Sequence, residues 1–357
     1  MKPSATIRDV ALAAGLSTAT VSRVLNDDAS VSPAAALRVR AEVERLGYTM
    51  NRVARSLKIR STHTVGVIAP ELASDFFMLL AESMDRELSS HGYSLIVCSS
   101  WESAEEEAKR IRLLAERLVD GLVVIPATGD GGGMGEALGG GIPLVLVDRF
   151  VPGLEADAVL VDNEGGAYAA TRALAAEGLA QGRRRMGFVG GGLELSIARE
   201  RYEGWRRAMG ELGLPIEPAF TSHAGLHVDS GYQALKAMRS RPDAPDAYFL
   251  VNAYVHVGAT NYLVTEESPE RSAKVVFAAF DETPYSPLLR FCRYSLSQPV
   301  AEMGAQAARI LLARIAGDLD SFPETQRLPA VLIRHDPAPA HIVPQRFNEE
   351  EWNGECI

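Results

Sequence analysis

The chain is predicted to be an α/β protein: two doubly wound parallel-sheet lobes behind a small all-α N-terminal domain. Three observations carry this prediction. From Thr64 onward, short apolar runs alternate with amphipathic windows of helical period. The chain has 357 residues, enough for two such units and a large core. Finally, residues 1–62 hold ten Lys/Arg against five Asp/Glu, whereas the whole chain holds 36 against 46. A basic end on an acidic body is the asymmetry expected of a protein that touches nucleic acid with one end.

The head is read first. Thr6 is a good N-cap and Asp9, three residues on, completes a capping box. Ile7, Val10, Ala11 and Ala14 then form one face of a short helix that Gly15 ends. Ser17 caps a second helix with Val21, Val24 and Leu25 inward, and Thr18, Ala19, Ser22, Arg23 and Asn26 on its other face. Ser32 and Pro33 start a third, which carries Val39, Val43 and Leu46 inward and stops at Gly47. Two short helices joined at a tight glycine turn and buttressed by a third make a helix-turn-helix, its second helix aimed at the major groove. Residues 1–48 form this domain. Residues 49–62 are a link in which Asn51 caps a very short helix, Arg52 to Leu57. Six residues are too few for a stable isolated helix, so it should fold only against a partner.

The body is taken as residues 63–335. Strands are expected at Val65–Ala69, Leu95–Cys98, Leu122–Ile125, Leu144–Val147 and Val159–Val161, then at Met186–Val189, Tyr248–Val251 and Val275–Phe280. Helices lie between them, as parallel sheets covered on both faces require. The lobes run roughly over 64–160 and 161–290, and the chain crosses back over 291–335, including a helix at Ala301–Ile315. Residues 129–141 read as a Gly-rich loop. The tail, 336–357, is Pro-rich and then acidic, and is expected to be poorly ordered.

Several function classes are excluded. No run of 18 apolar residues offers a membrane span, and no apolar segment near the start suggests a signal peptide. The cysteines Cys98, Cys292 and Cys356 are odd in number and far apart, which suits unpaired thiols in a reducing, cytoplasmic setting. The run FVGGGL lacks the spacing of a dinucleotide site. His223 and His227 have no third partner for a metal. No nucleophile–base motif is present, so an enzyme is disfavoured. A transport-type binding protein conflicts with the basic head. No cofactor and no metal are expected.

The runs TIRDVALAAGLSTATVSRVLND and VSPAAALRVRAEVERLGYTMNRVARSLKIRST resemble the LacI/GalR family of bacterial transcription repressors, and the likeness continues to about residue 335. The resemblance implies a body similar to periplasmic sugar-binding proteins, a homodimer or tetramer, a pseudo-palindromic double-stranded DNA operator and a small-molecule effector between the lobes. It places Thr18 and Ala19 where the family discriminates operators. It also implies that Leu57 wedges into a central base step through the minor groove, with Ala54 beside it. Arg23 suits a guanine or a phosphate, and Ser22 and Asn26 suit phosphate positioning. Asn51 and Arg52 are taken as part of the same DNA-facing link.

For the effector, polar groups at strand ends are the candidates, because ligands of open α/β sheets sit there. Phe76 and Phe77 follow the first strand, Asp148 and Arg149 end LVLVD, Asn252 ends YFLVN and Asp281 ends VVFAAF. Gln298 lies on the return segment. Arg201, in ELSIARERYEGW, matches a family pattern, as do Asn252 and Asp281. The family usually follows this Asn with Asp, but here Ala253 and Tyr254 follow. Asp148-Arg149 with GLELSIARER looks like the fructose-repressor branch, whose effector is a sugar phosphate; Arg149, Ser196 and Arg201 would then hold the phosphate. The rival role for Arg149 is an inter-lobe ion pair. A purine corepressor is the other family option, although Leu226 stands where that branch carries its stacking aromatic. Expected, then, is a repressor of sugar-metabolism genes governed by a sugar or sugar phosphate.

Overall fold

The structure, a computed structural model, describes residues 5–25, 28, 30–48, 61–116, 119–286 and 291–336. The chain forms two compact units, Met1–Thr62 and His63–Ile357.

In the first unit, α1 (Ile7–Ala14) begins at a complete capping box. Thr6 Oγ1 accepts from Asp9 N, and the Asp9 carboxylate accepts from Thr6 N at 2.8 Å. It ends at Gly15, whose φ of 63° only glycine adopts without strain. α2 (Thr18–Leu25) is capped by Ser17, whose hydroxyl accepts from Thr20 N at 3.1 Å. α3 (Pro33–Leu46) starts at Ser32 and stops at Gly47. Val10, Ala11, Ala14, Val21, Val24 and Val39 bury together, with Val43 and Leu46 half-buried against them.

The second unit contains two six-stranded sheets. The first lobe holds β1 (Thr64–Ala69), α4 (Asp75–Ser90), β2 (Ser94–Ser99), α5 (Ala104–Glu116), β3 (Gly121–Val124), α6 (Met134–Gly139), β4 (Leu144–Val147) and β5 (Asp157–Val161). The second holds α7 (Asn163–Ala180), β6 (Gly187–Val189), α8 (Ser196–Glu211), β7 (Thr221–Ser222), α9 (Val228–Arg239), β8 (Ala247–Leu250), α10 (Ala253–Thr265), α11 (Pro269–Ser272) and β9 (Val276–Phe280). After β10 (Cys292–Ser297) come α12 (Val300–Ile315), β11 (Thr325–Leu328) and β12 (Val331–Arg334). Strand orders are β11-β5-β4-β3-β1-β2 and β12-β10-β9-β8-β6-β7. The central strands are buried on both faces, so they read as unbroken apolar runs.

The return segment differs from expectation. It divides between the lobes: α12 packs on α4 and under β3–β5, β11 extends the first sheet beside β5, and β10 and β12 extend the second. The chain therefore passes between lobes after β5, after β10 and after β11. β12 runs antiparallel to β10, the exception among the described strand pairs. β11 (TQRL) and β12 (VLIR) sit half-exposed at sheet edges; TQRL carries no buried-strand signature, whereas VLI is an apolar run that stays largely exposed. The Gly-rich stretch is not all loop: α6 forms there because Met134 and Ala137, three apart, bury together. The tail beyond residue 336 lies outside the described residues. No described helix is long and apolar enough to cross a membrane.

Candidate nucleic-acid interface and ligand cleft

In the head, the buried side of α2 is Val21 and Val24, and this fixes what the opposite side presents. Thr18, Ala19 and Arg23 are exposed and Ser22 half-exposed. These are small, hydrogen-bonding or cationic groups on one short helix, the chemistry that reads base edges and phosphates. Asn26, Asn51, Arg52, Ala54 and Leu57 lie outside the described residues.

In the body, the carboxyl ends of both sheets meet around a cleft of about 350 Å³. Phe76, Phe77, Asp148, Arg149, Arg201, Asn252, Asp281 and Gln298 all line it; Ser196 does not. Asp148 follows β4 and Asp281 follows β9, one from each lobe. Both hold left-handed backbone, φ 65° and 73°. Such strain in a non-glycine residue persists only where the surroundings over-determine it, and here it turns both carboxylates inward.

Arg201 is buried on α8 and stacked 3.6 Å over the Phe280 ring. Its Nε donates to Asn163 Oδ1 at 2.8 Å and its Nη1 to the Val251 carbonyl at 2.7 Å. Burial lowers its pKa, while Asp281 and Asp148 oppose that shift. The family-like Arg…Gly-aromatic pattern has a packing cause. A Cβ at Gly204 would overlap Glu164 O on α7, and Trp205 is fully buried. Glycine lets α8 press onto α7, and Trp205 pins it, so Arg201 one turn earlier enters the cleft. Asp281 Oδ1 accepts from Gln298 Nε2 at 2.5 Å and its Oδ2 from Ala253 N at 3.2 Å. Burial raises the Asp148 carboxyl to about 6 against the pull of Arg149 and Arg201.

Three candidates are occupied otherwise than expected. Among the described residues Arg149 makes no inter-lobe ion pair. Its Nη1 and Nη2 meet both oxygens of Glu102, at 2.9 and 3.0 Å, and Nη1 also donates to Pro126 O; Glu102 belongs to the same lobe, at the end of β2. Ser196 makes one of the inter-lobe contacts, its hydroxyl accepting from Phe150 N at 3.1 Å, and it does not line the cleft. The Asn252 side chain caps α10, accepting from Val255 N, and donates to Leu226 O, so its amide is engaged by protein.

Sequence reading missed Glu102 and His256. Glu102 lies three residues beyond β2, where the strand-end rule applied to that run as well would have found it. His256 lines the cleft at 1% exposure with Nε2 lacking a partner. Burial pushes its pKa down to about 3, so it is neutral. Ala253, His256 and Val257 share the cleft face of α10 at i, i+3 and i+4. Among the described residues no group of His, Cys, Asp and Glu is placed to hold a metal.

Comparison with known proteins follows this division of the chain. Residues 6–51 match the family described as bacterial regulatory proteins, lacI family, and residues 62–320 match periplasmic binding proteins and sugar binding domain of LacI family. Catabolite control protein A of Priestia megaterium is 30% identical over 311 residues, 86% of this chain and 91% of that protein. The transcriptional repressor PurR of Haemophilus influenzae (strain PittEE) is 29% identical over 335 residues, 92% and 98%. A structure of the Lac repressor bound to ONPG superimposes with TM-score 0.80 at 23% identity, covering 94% of this chain and 99% of that one. A CelR–cellobiose complex does so with TM-score 0.68 at 26% identity, covering 94% and 100%. A capped helix-turn-helix head, a two-lobed cleft body and family matches that account for each in turn place this chain in the LacI family of bacterial regulatory proteins.

Proposed function

We propose that this chain is a sequence-specific DNA-binding transcriptional repressor of sugar-metabolism genes. It acts in the cytoplasm as a homodimer, and its operator affinity is set by a small effector bound between the lobes. The observation that carries this reading is the pairing of two features in one chain: α2 turning Thr18, Ala19 and Arg23 outward on a basic head, and a cleft lined by strand-end polar groups. Relatives support it. A ribose operon repressor of Haemophilus influenzae is 27% identical over 331 residues, and CelR was solved with cellobiose.

The head comprises residues 1–48, the hinge and linker 49–62, and the effector-binding and dimerisation domain 63–335. Thr18, Ala19 and Arg23 read bases, Ser22 and Asn26 position phosphates, and Asn51 to Leu57 forms the hinge. Two hinges at one pseudo-palindrome account for a dimer. A ligand moves the equilibrium only by binding one lobe arrangement better than the other.

Selection of bound duplexes from a random pool tests the reading. A pseudo-palindromic site should be enriched by the full chain and lost on deleting residues 1–62. Enrichment that survives the deletion, or none at all, would refute it. A purine repressor is the second reading, favoured by the likeness to PurR, and is separated by which ligand alters operator affinity.

A further inference from the structure

The charge of the cleft specifies its ligand more narrowly. Six carboxylates line it, from Glu71, Asp75, Glu102, Asp148, Asp281 and Glu282, against the two guanidiniums of Arg149 and Arg201 and no lysine. The guanidiniums are not equivalent. Arg149 is clamped by Glu102 through two hydrogen bonds and by the Pro126 carbonyl, its side chain 4% exposed. Its charge is neutralised within the first lobe.

Among the described residues Arg201 has no carboxylate within ion-pair distance, and its Nη2 makes no hydrogen bond to protein. Asp148 of the first lobe and Asp281 of the second line the same cleft and both act on the Arg201 charge. The floor of the cleft therefore presents carboxylate acceptors from both lobes together with the Arg201 donors. Three further polar atoms of cleft-lining residues stand without hydrogen-bond partners among the described residues, Arg149 Nε, the buried His256 Nε2 and Gln298 Oε1.

A hydroxyl both donates and accepts, so adjacent hydroxyls of one ring complement this floor, each in a charge-assisted hydrogen bond. A phosphate ester carries about −1.5 to −2 charge and only acceptors. It would compete with Asp148 and Asp281 for a single available guanidinium, and like charges brought together in a desolvated site cost several kcal/mol. Phe76, Phe77 and Leu226 supply the apolar wall for a ring face.

We infer that the cleft takes an uncharged, hydroxyl-rich ring and excludes its phosphate ester, with the Asp148 and Asp281 carboxylates as the cause of the discrimination. This rests on the reading of the cleft as the effector site.

The test is calorimetry and thermal shift of the full chain with matched pairs: ribose and ribose 5-phosphate, fructose and fructose 1-phosphate, glucose and glucose 6-phosphate, with adenine, guanine and hypoxanthine alongside. One free sugar should bind at least about 100-fold tighter than its own ester. An ester that binds as tightly as its parent, or a purine that binds alone, overturns the inference and leaves the proposed repressor intact. If no compound binds and none shifts operator affinity, the effector reading of the cleft fails, and this inference with it. The variant D148N/D281N isolates the cause, because asparagine tolerates the left-handed backbone that both positions hold. Discrimination against the ester should fall at least about tenfold; unchanged discrimination would show that the carboxylates do not cause it.

Discussion

At the scale of single residues, the body concentrates its costly arrangements at the cleft. Glu102, Asp148 and Asp281 all hold left-handed backbone and all line it. Behind Arg149 sits Glu107, fully buried, with Oε2 accepting from Ala127 N at 2.6 Å and Oε1 without a partner. Burial raises its carboxyl to about 7, with the Ala127 N–H and Arg149 opposing and Asp130 and Glu102 adding. Between the ordinary glutamate value near 4.5 and about 7, the folded chain holds a proton that the unfolded chain has released. Stability therefore falls as pH rises through that window. Glu107→Gln should remove this slope and raise the melting temperature at pH 8, by the equivalent of at most about 3 kcal/mol. Melting curves from pH 5 to 8 check it; parallel slopes for both proteins would refute the buried-carboxylate account.

At the scale of elements, α8 and α2 carry the argument. Gly204→Ala forces a methyl against Glu164 O, a backbone atom that cannot rotate aside. It should destabilise the body by about 1–3 kcal/mol and misplace Arg201, weakening the effector response while DNA binding by the head persists. Denaturant unfolding with operator titration checks both, and a variant with wild-type stability would contradict the close-packing explanation. On α2, Arg23→Ala should cost about 1–3 kcal/mol of operator affinity and relax one position. An unchanged sequence preference would reduce Arg23 to a phosphate contact.

The elements themselves were legible where one rule dominated. The Thr6–Asp9 box, Ser17, Ser32 and Gly47 announce the head, and apolar runs such as LVLV and YFLV announce the central strands. β11 was hidden because an edge strand such as TQRL buries little and so needs few apolar residues, and α6 because its glycines outweigh Met134 and Ala137 in composition.

At the scale of the whole molecule, sequence located the cleft but not the partners within it. Strand-end reasoning finds Asp148, Arg149, Asn252 and Asp281, yet cannot say that Glu102 holds Arg149 or that Asn252 donates to the Leu226 carbonyl, since those pairings are long-range. In the proposed reading the cleft and the head are linked in function through residues 49–62, so a modest preference of the ligand for one lobe arrangement biases operator binding. The direct test is operator affinity of the full chain with and without the sugar that binds the cleft, in wild type and in Arg201→Lys. Lysine keeps the charge but loses the fork geometry. The account predicts that the sugar changes wild-type affinity at least about tenfold and leaves the variant unchanged, with both proteins equal in its absence. Equal responses in the two proteins, or none in wild type, would contradict it.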